Sequence, residues 1–249
     1  MVTEWLHSLA IEGRARSTIL VARRAARELY AGGDKQLAQL PLETPDKATT
    51  QRVVITSAVL KAMRAGTEQR AGLDLRRGVR DHAMFLLGFY GGVASAGIIN
   101  MDWADATFHT DSLLVTTTNR AGSVLQIRIP GGGDPELCPV AALRRWRDVA
   151  GTTHPGTPMF FLVQHRRRHA TRLGVHAPKR ALHRCLRDAG FGTSGVDWCS
   201  LRWGFAAEAM AAGVSEMALL DHLRVEDRRL LAIIRTCADR LRSQNALEG

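Results

Sequence analysis

The residue type best suited to do chemistry in this chain is arginine: of 34 basic residues, 30 are Arg and 4 are Lys. A guanidinium stays charged, and its planar fork matches two oxygens of one phosphate. The densest group is Gln164-His-Arg-Arg-Arg-His-Ala-Thr-Arg172, in which Arg166, Arg167, Arg168, His169 and Arg172 are candidate phosphate donors. Lys179, Arg180, Arg184 and Arg187 follow along the next segment. Arg14, Arg16, Arg23, Arg24 and Arg27 recur on one side of an N-terminal helical pattern, with Arg23 and Arg24 as its phosphate candidates. Arg202 differs from all of these. It opens an apolar run, Ser200-Leu-Arg-Trp-Gly-Phe-Ala206. A phosphate ligand and a structural Arg bonded to helix carbonyls both fit such a position.

Other chemistries are poorly served. Cys138, Cys185, Cys199 and Cys237 form no Cys-x-x-Cys, which argues against a disulfide framework or a zinc ribbon. Cys185 with His183, and Cys199 with His222, lack the quartet spacing of a zinc site. Gly131-Gly-Gly133 is not a P-loop, because no Gly-Lys-Ser/Thr follows it. No cofactor or metal is expected. With 249 residues, 45% of them apolar, the chain can bury a sizeable core. A net charge of +10 points first to nucleic acid and second to an anionic membrane. No apolar run approaches the ~18 residues of a membrane span, and Met1-Val-Thr-Glu-Trp-Leu6 lacks a signal-peptide pattern. The expected setting is cytoplasmic and nucleoid-associated, with no membrane partner.

The elements that must hold these residues are mainly helical. Residues 1–50 read as a helical N-terminal segment ending in a linker, and 51–249 as the main domain. A helix begins near Thr56, with Val59, Leu60 and Met63 inward. A polar loop is expected over 66–78. Val79 to Tyr90 is apolar almost all round and should be the central helix. A short helix is expected over Ser95–Met101. Ser112–Thr118 and Ser123–Ile129 read as a hairpin, with Ala104–Phe108 as a third strand. Cys138–Ala150 is a helix, Pro158–Val163 a short strand, and Val175–Ala189 a basic helix. Two helices follow, joined at Gly213, with Ser215 as N-cap of the second. A last helix runs from about Glu226 to Leu241. The fold class is mainly α with a small antiparallel β-sheet (α+β).

This order resembles the catalytic domain of the tyrosine recombinases (phage integrases). The resemblance rests on Arg80-Asp-His-Ala-Met-Phe-Leu-Leu-Gly-Phe-Tyr-Gly-Gly92, Asp134-Pro-Glu-Leu-Cys-Pro-Val-Ala-Ala-Leu-Arg-Arg-Trp146, Ser200-Leu-Arg-Trp-Gly-Phe-Ala206 and Ala212-Gly-Val-Ser-Glu216, in the family's order. It covers roughly 50–240 and implies that residues 1–50 are a shortened core-binding segment. In that family a tyrosine attacks a DNA phosphate, two arginines clamp its oxygens, a hairpin lysine protonates the leaving oxygen, and two His or Trp positions assist. Matching motif by motif puts Ala94 at the first Arg position, Arg120 near the hairpin Lys and Cys199-Ser-Leu-Arg202 over His-x-x-Arg. Val225 falls at the later His/Trp position, with His222 and Arg224 nearby, and Ile234 at the nucleophile. Only Arg202 is retained. Tyr30 and Tyr90 are the only tyrosines, so the final 159 residues hold none. Thr236 and Cys237 are the nearest substitute nucleophiles.

The resemblance therefore implies a scaffold without its chemistry: a non-catalytic protein that binds double-stranded DNA, as a transcription regulator or a recombination accessory factor of a prophage or mobile element. Its DNA contacts are expected from Arg202, Arg120, Arg166, Arg167, Arg168, His169, Arg172, Lys179, Arg180, Arg184, Arg23 and Arg24. Two alternatives are a protein-interaction module that modulates an active recombinase, and a divergent active integrase with a rebuilt site. The C-terminal helix is the expected contact with another copy or with a related active recombinase.

Overall fold

The computed structural model describes residues 53–249 except 69, 119–121, 165–169, 225–228 and 249. Elements are numbered along these residues. The helical reading of residues 1–50, and with it Arg23 and Arg24, lies outside them.

The central helix is α2 (Gly72–Tyr90), preceded by α1 (Ser57–Glu68). From Gly78 to Phe89 all but one of its side chains are buried, as its unbroken apolar surface requires. The helix starts seven residues before Val79, so most of the expected loop 66–78 is helical. Its first turns look polar in sequence because their arginines work at a distance. Arg76 donates to Val149 O and Ala150 O, the last carbonyls of α4 (Pro139–Ala150), which lack intrahelical partners. Leu73 and Leu75 pack on the core edge.

After α2 come α3 (Ser95–Asn100), a 3₁₀ turn and the sheet. Strands β1 (Ala106–Phe108), β2 (Ser112–Thr118) and β3 (Val124–Pro130) are antiparallel in the order β1-β2-β3. Leu113 opposes Ile129 and Val115 opposes Ile127, and these four residues bury one face. Gln126 and Arg128 alternate to solvent, as a period of two dictates. Cys138 caps α4, its sulfur accepting from Ala141 N at 3.4 Å. The expected strand Pro158–Val163 is absent as a ladder. It makes only isolated bridges, Asp102 with Pro158 and Phe161 with Arg172. Met159, Phe160, Phe161 and Val163 are all buried, so the run is apolar because it threads the core.

The basic helix is α5 (Ala177–Asp188). Then come α6 (Cys199–Ala211), α7 (Glu216–Leu223) and α8 (Arg229–Glu248). Gly213 takes φ +92° after α6, and Ser215 Oγ accepts from Ala218 N at 3.3 Å. Helix α6 is the keystone of the C-terminal half. Its Glu208 Oε1 accepts from both Ser57 N (2.7 Å) and Ser57 Oγ (2.9 Å), capping α1. A Cβ on Gly204 would lie 1.7 Å from Ile55 O, so only glycine lets that stretch of chain pass. A second cluster joins Ala206 and Met210 of α6 to Leu219 and Leu223 of α7 and to Leu231, Ile234 and Ala238 of α8. No helix among the described residues is long and apolar enough to cross a membrane.

One buried charge ties these layers together. Asp81 of α2 is 0% exposed, and its two oxygens accept from Arg80 and from Arg184 of α5. Asp81→Asn leaves two guanidinium groups without their counter-ion. Urea unfolding should show a loss of about 3–5 kcal/mol. The exposed counterpart Asp74→Asn, paired only with Arg77 at the surface, should change stability by less than about 1 kcal/mol.

Candidate nucleic-acid interface

Helix α5 separates its residues cleanly. Pro178, Ala181, Leu182, Cys185 and Leu186 are buried. His176, Lys179, Arg180, His183, Arg184 and Arg187 line an open cleft of about 510 Å³. Their spacing of three, four, seven, eight and eleven from His176 is that of a single helical stripe. Lys179, Arg180 and Arg187 are exposed and make no ion pair among the described residues. His183 and Arg184 are partly buried, the former held by the carbonyl of Val196 through Nε2 at 2.9 Å. A row of cations without counter-ions on a rigid helix is suited to a polyanion. His176, His183 and Arg187 are not among the residues expected to contact DNA. The helical period could have found them, since it groups 176, 179, 180, 183, 184 and 187 directly.

Two of the sequence candidates prove to be structural. Arg172 donates to Ile99 O at 2.9 Å and to Asp102 Oδ1 at 2.5 Å, pinning its own segment to the end of α3. Arg184 is tied to Asp81. Each keeps a partly exposed guanidinium that is held by a carboxylate, which Arg184 shares with Arg80. In sequence they are indistinguishable from their neighbours, because their acidic partners lie 70 and 103 residues away. Arg166, Arg167, Arg168, His169 and Arg120 lie outside the described residues.

Arg202 sits elsewhere, at the loop that follows the central helix. Three side chains of the C-terminal half donate to carbonyls of that loop. Arg202 Nη2 donates to Gly92 O, Trp198 Nε1 to Val93 O at 2.8 Å, and His222 Nε2 to Tyr90 O at 2.6 Å. The carbonyl can only accept, so the His222 proton is on Nε2. Burial lowers the pKa of Arg202 from its usual value. Arg202 also lines a small cavity of about 240 Å³, with Ala94 of the loop, Thr117 and Thr118 of β2, Leu223 of α7 and Arg224 just after it. The structure thus brings Arg202 and Ala94 to one cavity, at the Thr118 end of β2.

Ile234 is 3% exposed and packs in the core between α6, α7 and α8. Thr236 Oγ1 donates to Ala232 O at 3.0 Å. Cys237 is buried, and burial pushes its thiol pKa up, opposite to the shift a nucleophile needs. Tyr90 stacks edge-on to Phe89 at 5.0 Å, and burial raises its phenol. Val225 lies outside the described residues. No cluster of three or more His, Cys, Asp or Glu that could hold a metal occurs among the described residues.

These contacts give Arg202 a structural task that can be measured. Arg202→Ala strands the Gly92 carbonyl, and urea unfolding should show a loss of about 1–3 kcal/mol. A loss below about 0.5 kcal/mol would make the contact incidental.

Comparisons with known proteins agree with this geometry. No family model matches the chain. An integrase/recombinase XerD homologue from Selenomonas ruminantium is 25% identical over 158 residues, which is 62% of this chain and 46% of the relative. The chain thus spans about half the length of that relative. Among solved structures, XerA recombinase aligns with 98% of this chain and 81% of its own, at TM-score 0.57 and 15% identity. XerH bound to its difH substrate before cleavage aligns with 93% of this chain and 65% of its own, at TM-score 0.64 and 12% identity. A lambda integrase dimer bound to a core site aligns with 94% of this chain and 63% of its own, at TM-score 0.63 and 16% identity. The fold is that of the tyrosine recombinase catalytic domain.

Proposed function

We propose that this chain is a non-catalytic DNA-binding protein of recombinase fold, serving as a transcription regulator or recombination accessory factor of a prophage or mobile element. The observation that carries it is the stripe of six basic residues along α5 and its N-cap, in which Lys179, Arg180 and Arg187 are exposed cations without an ion pair among the described residues. Phosphate contact by such a stripe fixes position on a duplex without reading bases. The neighbours solved with difH and core-site DNA support duplex DNA as the partner. Arg120, Arg166, Arg167, Arg168, His169, Arg23 and Arg24 extend the proposed contact surface, and Arg172 and Arg184 stand behind it as positioning residues.

The inactive half of the proposal rests on the sequence. Strand transfer in this family needs a tyrosine near the C-terminal end, and none follows Tyr90. A buried isoleucine occupies the matched position. The cooperating residues act as a unit, so partial retention of the set leaves little rate. Self-association is proposed through α8, on the model of the lambda integrase dimer and tetramer. The inner face of α8 already packs on α6 and α7 of the same chain, which leaves its outer face for a partner.

Two measurements test this. Binding to a duplex should weaken linearly in log K against log salt. The triple variant Lys179→Gln, Arg180→Gln, Arg187→Gln should reduce that slope by about 1 for each phosphate it no longer neutralises. A slope equal to wild type removes α5 from the interface. A nicked suicide substrate should yield no covalent protein–DNA species. A trapped species would overturn the inactivity.

A further inference from the structure

The cavity beside Arg202 has a character that its place in the fold does not explain. Two guanidinium groups, of Arg202 and Arg224, line it, and they are close enough for Arg224 to disfavour charge on Arg202. Among the described residues that line it there is no Asp or Glu. Arg202 makes one bond among the described residues, to a neutral carbonyl, although a guanidinium has five donors. Cations in a partly desolvated setting are costly without an anion. Arg224 adds a second sign. It is the only described non-glycine residue with positive φ, at +52°, a position where glycine is favoured. Its guanidinium reaches over to Gln126 O of β3 at 3.1 Å and closes one side of the cavity. Strain of that kind persists where the side chain is needed. Val93, Leu125, Ile127 and Leu223 form an apolar part of the wall, and Thr117 and Thr118 of β2 complete it.

We propose that this cavity binds a small organic carboxylate with a short branched apolar body. The carboxylate would lie against Arg202 and Arg224, and the body against Val93, Leu125, Ile127 and Leu223. A guanidinium fork matches a carboxylate with two bonds. A free phosphate fits less well, since it brings no apolar body to Val93, Leu125, Ile127 and Leu223. The volume of about 240 Å³ lies below the range of drug-sized clefts and limits the ligand to a few carbons. Ala94 at the rim leaves this space open. The proposal concerns the protein free of DNA and stands or falls independently of duplex binding.

The test uses the full chain and isovalerate as probe, with isovaleramide, inorganic phosphate and chloride as comparisons. Isovalerate at ten times its Kd should raise Tm by roughly 3–6 °C, and the uncharged amide should not. Ala94→Trp fills the cavity from its exposed rim and should weaken isovalerate at least tenfold. Arg224→Gly relieves the left-handed backbone, so it should unfold no earlier than wild type yet also bind at least tenfold more weakly. Absence of a shift with isovalerate overturns the proposal. So does an equal shift with phosphate or chloride, which would mark an adventitious ion only. Undiminished binding in both variants would place the anion elsewhere.

Discussion

The arrangement of the helical layers depends on one buried carboxylate. Asp81 has no exposed surface and stands on the central helix, where an unpaired charge would cost several kcal/mol. Arg80 and Arg184 remove that cost by taking one oxygen each. Arg80 also donates to Phe161 O at 2.8 Å, so the same network holds the apolar segment that threads the core. Arg184 belongs to α5, and its reach to Asp81 fixes how α5 is rolled on the core. With Arg184 turned inward, Ala181, Leu182, Cys185 and Leu186 lie beneath the helix, and Lys179, Arg180 and Arg187 face out. A buried ion pair contributes little net stability over an apolar replacement. What it contributes here is orientation: the free cations of the stripe are displayed because one of their neighbours is held.

A second constraint acts at the other end of the central helix. The chain reverses through Gly91 and Gly92, where a Cβ on Gly92 would meet Arg202 at 3.2 Å. Loop carbonyls exposed by the reversal need donors. Trp198, Arg202 and His222 supply them. The apolar neighbours of Arg202 in sequence thus have a plain explanation. The helix is apolar because it is buried, and its one arginine carries a loop that would otherwise be unpaired.

Much of this is legible in the sequence, and the failures have physical causes. The three strands, the cap at Ser215 and the turn at Gly213 follow from local chemistry. The start of α2 does not, because Arg76 and Arg77 read as loop residues until their acceptors on distant segments are known. Pro158–Val163 misleads in the opposite sense: an apolar run signals burial but carries no information on ladder pairing. The site divides along the same line. The stripe on α5 is periodic and visible in outline. The structural roles of Arg172 and Arg184 depend on Asp102 and Asp81, and no local pattern links a cation to an acid that far away in the chain.

Under the proposed function, the same distinction explains how a recombinase fold loses its chemistry and keeps its shape. Scaffold positions are fixed by several neighbours at once. Gly204 is required by Ile55 O, Trp198 by Val93 O and Phe85, and Glu208 by the first turn of α1. The position matched to the first clamp arginine is different. Ala94 is exposed at the start of α3 and makes no side-chain cap. Nothing in the folded chain asks for a charge there, so under the proposed function its absence costs the fold nothing. Arg202 has the opposite status, since Gly92 O needs a donor whether or not a phosphate ever arrives. A set of residues held together only by a reaction can be dispersed when the reaction is dropped. The member that also satisfies the backbone remains.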